Sequence, residues 1–195
     1  MELKEIYAFD ECSLLHLCRI KIPPAFRVFF EKESISHKNC EKLNNLINYL
    51  ILTNYTRAKF VPSENFEKNI FRSYNQLLEK QGNVGILGAS FKKEVLDQLS
   101  KFYEEIIPKF IEISKDKNID LLKSIFNKNV KNIKKDPKIP EDDDLAILLG
   151  YSKIKVLGSK YLISEDEHFY GYSELINSNL GIKVIEEWNC HKLVK

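Results

Sequence analysis

Glycine and proline are scarce in this chain, at 7 and 6 of 195 residues. That excludes collagen-like and Pro/Gly-rich low-complexity proteins and leaves a composition suited to helices and strands. Cysteine is sparser still. Cys12, Cys18, Cys40 and Cys190 show no CxxC spacing, which removes the redox and zinc-ribbon motifs that depend on it. A zinc site assembled from Cys12 and His16 with His37, Cys40, Cys190 and His191 matches the spacing of no familiar zinc module, so reduced, mostly buried thiols are expected. No apolar run approaches the ~20 residues needed to cross a bilayer. Met-Glu-Leu-Lys-Glu at the start does not read as a secretory signal either, so the expectation is a cytoplasmic protein with no membrane role. Charge imbalance is also missing: 30 Lys+Arg oppose 28 Asp+Glu, a formal net charge of +2. Net charge therefore selects no partner, and only the distribution of charge can.

What remains is 44% hydrophobic and 30% charged residues, the profile of an ordinary globular domain. The length suits one well-buried core, and residues 1–195 are read as a single domain. Residues 2–9 form a first strand, followed by a helix from Ser13 to Ile20 that Pro23-Pro24 ends. Leu43, Leu46, Ile47, Leu50 and Ile51 mark a helix near 40–52 by their spacing. Ala58-Lys59-Phe60-Val61 reads as a short strand, and Ser63 as the N-cap of a helix to about Lys80. Two long helices are expected over 91–113 and 119–134, the first interrupted at Pro108. A helix at 141–156, a strand at 160–164, a short helix near 173–177 and a strand at 182–186 complete the chain. Strands alternating with helices predict an α/β fold: a mainly parallel sheet of four to five strands flanked by helices, with a long helical insertion at about 90–138.

Two of these strands stop on acids. Glu5-Ile6-Tyr7-Ala8-Phe9 runs into Asp10, and Tyr161-Leu162-Ile163 runs into Ser164-Glu165-Asp166. Open α/β sheets build their sites at the carboxyl ends of parallel strands. An acid directly after a buried strand is desolvated unless something binds it. Asp144 or its neighbour Asp143 reaches the same edge from the start of a helix, although acids at a helix N-terminus are also favoured by the macrodipole alone. Glu64 or Glu67 follows the Phe60-Val61 strand. Converging carboxylates of this kind suit Mg²⁺ or Mn²⁺.

The order of these segments resembles that of PIN-domain nucleases. The residues carrying the resemblance are IYAFD with Asp10, VPSENFEKNI with Glu67 (or Glu64), EDDDLAILLG with Asp144 (or Asp143), and YLISEDEHF with Ser164 and Asp166. GIKVIEEW, residues 181–188, looks like the family's last edge strand. The chain departs from the family where Glu11 and Cys12 follow Asp10, positions at which a Thr and then a Ser or Asn are usual. Glu11 is thus a further candidate ligand. The resemblance implies a divalent-metal-dependent endoribonuclease in which Asp10, Glu67, Asp144 and Asp166 hold Mg²⁺ or Mn²⁺ and Ser164 supports them. The substrate it implies is RNA, with single-stranded DNA not distinguished. It also allows a homodimer or, by analogy with the family's toxins, an antitoxin partner. An inactive PIN-like module binding RNA or protein is the alternative.

Other motifs fare worse. A haloacid dehalogenase site needs a second Asp two residues after the first, and that position is Cys12. Gly82-Asn83-Val84-Gly85-Ile86-Leu87-Gly88 lacks the Lys-Ser/Thr of a phosphate-binding loop and reads as a connector. Lysines at 115, 117, 123, 128, 131, 134, 135 and 138 make one segment basic. Lys128, Lys131, Lys134 and Lys135 are the candidate contacts to a phosphate backbone, and a plain solvated helix face explains the same pattern. His168 and Tyr170 flank the edge loop, where they would meet substrate.

Overall fold

The computed structural model describes residues 4–20, 37–61, 104–130 and 138–194, with helical positions at 68, 72, 93, 97, 100 and 101. The Pro23-Pro24 break, the helix expected at 63–80 apart from positions 68 and 72 (so Glu64 and Glu67 too), the Gly82–Gly88 connector, and Lys131, Lys134 and Lys135 lie outside the described residues.

The sheet has five strands, all parallel, in the order β3-β2-β1-β4-β5. Strand β1 (Ile6–Asp10) lies at its centre and is buried along its whole length. A run of apolar residues without alternation is what a strand covered on both faces requires. Tyr7 and Phe9 enter one core with Leu14, Leu17, Leu43, Leu46, Ile47 and Leu50. Ile6 and Ala8 enter the other with Phe60, Phe126, Leu145, Leu148, Tyr151 and Leu162.

The first face is covered by helices α1 (Glu11–Ile20) and α2 (His37–Leu52). In α2 the four buried positions Leu43, Leu46, Ile47 and Leu50 recur at helical spacing, giving one apolar stripe. Strand β2 (Thr56–Phe60) pairs with β1. A 3-10 turn (Ile107–Lys109) and the two-residue edge strand β3 (Ile111–Glu112) follow. Here the structure corrects the helix expected to run to residue 113. Pro108 cannot donate the next helical hydrogen bond, and the chain tightens into a 3-10 turn before joining the sheet.

The second face is covered by α3 (Asp120–Asn129), α4 (Asp142–Ser152) and α6 (Ser173–Leu180). Helix α4 buries Leu145, Ala146, Ile147, Leu148 and Tyr151, so it is apolar around most of its girth, as a core helix must be. It ends at Ser152, short of the expected residue 156, where Lys153 turns the chain by bonding back to Gly150 O at 3.2 Å. The helix packs so closely on the preceding loop that a Cβ on Gly150 would lie 1.8 Å from Ser114 O. The Tyr151 hydroxyl, fully buried, sits 3.0 Å from Ile6 O and 2.9 Å from Tyr161 O, tying α4 to β1 and β4.

Strand β4 (Lys160–Ser164) occupies the predicted span. The loop after it holds a four-residue helix, α5 (Glu167–Tyr170), that sequence periodicity did not reveal. Gly181 closes α6 with φ 66°, the left-handed conformation that favours glycine. Strand β5 (Ile182–Glu186) ends at Glu186, and Glu187–Leu193 forms a 3-10 segment, so Glu187 and Trp188 are not part of the edge strand.

Candidate functional site

The strand order decides where a site belongs. From β1 the chain builds outward through β2 and β3, then returns to the opposite side of β1 as β4. The direction of winding reverses between β1 and β4, and ligands of open α/β sheets bind in the crevice outside the carboxyl ends at such a point. The residues at that point are Asp10 and Ser164. Register pairs Phe9 with Ile163, which sets the next residues, Asp10 and Ser164, side by side. Strand alternation then puts Asp10 (with Ile6 and Ala8) and Ser164 (with Leu162) on the α4 side of the sheet.

Asp10 is 3% exposed and does two jobs. Its Oδ1 accepts the Ser13 N–H at 2.6 Å, so the last residue of β1 is also the N-cap of α1. Its Oδ2 accepts the Ser164 hydroxyl. Ser164 Oγ in turn accepts the Asp166 N–H at 3.0 Å, and the Ser13 hydroxyl donates to Ile163 O at 3.1 Å. One hydroxyl thus joins the acid of β1 to the backbone that carries Asp166. Burial pushes the Asp10 carboxyl up to about 7; hydrogen bonds from Ser164 and Ser13 oppose this, and the Asp166 charge adds to it.

Asp144 is the one acid of its run that turns inward. It is 8% exposed, and its Oδ2 accepts the Glu141 N–H at 3.1 Å and lies 3.4 Å from His168 Nε2. Burial raises its pKa, His168 opposes the rise, and Asp166 contributes to it. The other three acids are exposed and paired with nearby lysines: Asp143 with Lys115 at 3.2 Å, Asp142 with Lys123 at 2.6 Å, Glu141 with Lys138 at 2.7 Å. Three lysines of the basic segment therefore neutralise the start of α4. Lys128 is exposed in the last turn of α3. Glu11 is half-buried and adds to the negative field at Cys12.

A second group formed without being anticipated. His16 Nδ1 lies 2.6 Å from Glu187 Oε2 and 4.0 Å from Glu165 Oε2. Among the described residues this is the trio of ligating side chains whose donor atoms all fall within 4.8 Å; Asp10, Asp144 and Asp166 do not close so tightly. Two carboxylates stand beside His16, a grouping different from the cysteine–histidine zinc set that the sequence spacing argues against. Glu187 carried a legible signal, because it follows a strand end as Asp10 does. Glu165 lies in the same polar run as Asp166, directly after β4.

Asp10, Asp144 and Asp166 are oxygen donors that repel one another through partly buried space. That chemistry fits a hard divalent cation, but a single Mg²⁺ with bonds of ~2.0–2.1 Å spans less than their separation, so water would have to link at least one of the three carboxylates to the ion. Fold and edge together define a parallel α/β protein with an acidic crevice at its switch point. No protein-family model, curated protein or solved structure matches the chain. Among the described residues no helix is long and apolar enough to cross a membrane.

Proposed function

We propose that this protein is a PIN-like ribonuclease that hydrolyses phosphodiester bonds with Mg²⁺ or Mn²⁺. The observation that carries the reading is Asp10: a buried carboxylate at the end of the central strand, beside Ser164, at the switch point of a parallel sheet. When bound, the ion would supply an activated water and neutralise charge on the phosphodiester. Asp10, Asp144 and Asp166 would hold it, with Glu67 or Glu64 as the expected fourth acid. Ser164 keeps the Asp10 carboxylate oriented through its hydroxyl and fixes the Asp166 backbone through its Oγ. His168 stands beside Asp144, a quarter exposed, with its Nε2 3.4 Å from Asp144 Oδ2. Lys128, with Lys131, Lys134 and Lys135, would give contacts to the RNA backbone that are independent of sequence.

One observation favours a second reading, an inactive module that binds RNA or protein. Both Asp10 oxygens already accept hydrogen bonds within the protein, as a purely structural N-cap would. Purified protein incubated with a mixed RNA substrate and Mn²⁺ separates the two, with single-stranded DNA in parallel. Cleavage that disappears in Asp10→Asn and Asp166→Asn supports the nuclease. RNA binding without cleavage, or cleavage unchanged in both variants, supports the module or a contaminant and rejects the proposed site.

A further inference from the structure

Around the middle of α1, three chain segments distant in sequence bring together an imidazole and two carboxylates. His16 comes from α1, Glu165 from the loop after β4, and Glu187 from the 3-10 segment after β5. Their side chains are 6%, 22% and 0% exposed. This is not an acidic surface patch. It is a mixed nitrogen and oxygen donor set, largely buried, with Glu165 the most exposed of the three.

We propose that His16, Glu165 and Glu187 form a binding site for a first-row transition-metal ion, Zn²⁺ by preference, distinct from the oxygen-only site at Asp10. Geometry supports it first. Bonds of ~2.0–2.2 Å to nitrogen and oxygen place neighbouring ligand atoms roughly 3.0–3.6 Å apart. The separations of His16 Nδ1 from Glu187 Oε2 (2.6 Å) and from Glu165 Oε2 (4.0 Å) bracket that spacing, and all three donors lie within 4.8 Å. Small side-chain adjustments suffice to centre an ion. The donor set decides the metal: imidazole suits zinc and its neighbours, whereas Mg²⁺ takes carboxylates and water. An ion here displaces to solvent the proton shared by His16 Nδ1 and Glu187, and pins α1, the β4–α5 loop and the C-terminal segment to one another.

The two sites are close neighbours. Burial raises the Cys12 thiol pKa, and the charges of Asp10, Asp166, Glu11 and Glu187 add to the rise, so this one side chain lies within reach of both groups. A metal at His16 would therefore stiffen the helix that Asp10 caps and the loop that carries Asp166. The proposal goes beyond the nuclease reading and stands whether or not the Asp10 crevice cuts RNA.

Co²⁺ serves as the visible stand-in for Zn²⁺, added to chelator-stripped full-length protein in the presence of saturating Mg²⁺. Mg²⁺ fills the oxygen-only site, so the Co²⁺ absorption reports the mixed one. We expect one equivalent of Co²⁺ to remain bound, at least tenfold weaker in His16→Gln and in Glu165→Gln, and undisturbed in Asp10→Asn. Should His16→Gln fail to fold, Glu165→Gln carries the test, because its side chain reaches solvent. Complete displacement of Co²⁺ by Mg²⁺, or wild-type binding by a folded Glu165→Gln variant, overturns the proposal. Loss of RNA cleavage plays no part in this readout, so failure of the nuclease reading is seen separately.

Discussion

Replacing Asp10 with asparagine should make the metal-free protein more stable at alkaline pH while abolishing the proposed RNA cleavage. The carboxyl is raised from 3.8 to about 7 by burial. A difference of roughly three units corresponds to about 4 kcal/mol between the two protonation states, at 1.36 kcal/mol per unit. Between pH ~4 and ~7 the native state keeps a proton that the unfolded state has released, so stability falls as pH rises through that window. Asparagine keeps the shape and the Oδ1 acceptor for Ser13, and its amide can donate to Ser164 Oγ, but it never ionises. In EDTA the variant's advantage over wild type should therefore grow by ~2–3 kcal/mol between pH 5 and pH 8, and the two should match only near pH ~4. Urea denaturation followed by circular dichroism at pH 5, 6, 7 and 8 measures the gap. Adding Mn²⁺ should narrow it by stabilising wild type alone. A gap that does not change with pH, or a wild-type stability that rises from pH 5 to 8, refutes the assignment of a desolvated, destabilising carboxylate at this position.

The acids at the start of α4 should separate sharply in an RNA cleavage assay. Asp144→Asn should lose more than ~10²-fold, beyond what outer-sphere substitutions cause, whereas Asp143→Asn, facing Lys115 and solvent, should stay near wild type. Ser164→Ala removes the donor to a buried Asp10 oxygen and should destabilise the fold by ~1–3 kcal/mol in urea, with reduced cleavage. Gly150→Ala forces a Cβ against the Ser114 carbonyl, and a thermal melt should show a loss of ~1–3 kcal/mol or more; an unchanged melt would mean that α4 and the 114 loop are not in close contact.

Strands β4 and β5 were legible in the sequence residue for residue and α2 nearly so, whereas β1 and α4 were found but drawn about four residues too long at one end. Each is a short apolar run or a helical stripe bounded by acids, glycine or a polar turn, and such signals act between near neighbours in the chain. Their alternation was enough to predict a parallel α/β sheet with carboxylates at strand ends. The stretch around Pro108 was misjudged because helical periodicity continues through it. Only the sheet could show that Ile111 and Glu112 leave the helix to pair with β2.

Which acids matter was a different kind of question. Glu141 to Asp144 are four consecutive acids with near-identical local chemistry, and the packing of α4 alone turns Asp144 inward while three lysines hold the rest outward. Asp10 and Ser164 are 154 residues apart, and the register of β1 with β4 makes them neighbours. His16, Glu165 and Glu187 meet for the same reason. The sequence by itself determined the elements and the residue types at their ends, since these follow from local propensity and periodicity. Tertiary structure decided the company each side chain keeps, because strand order and helix phase depend on burial across the whole core.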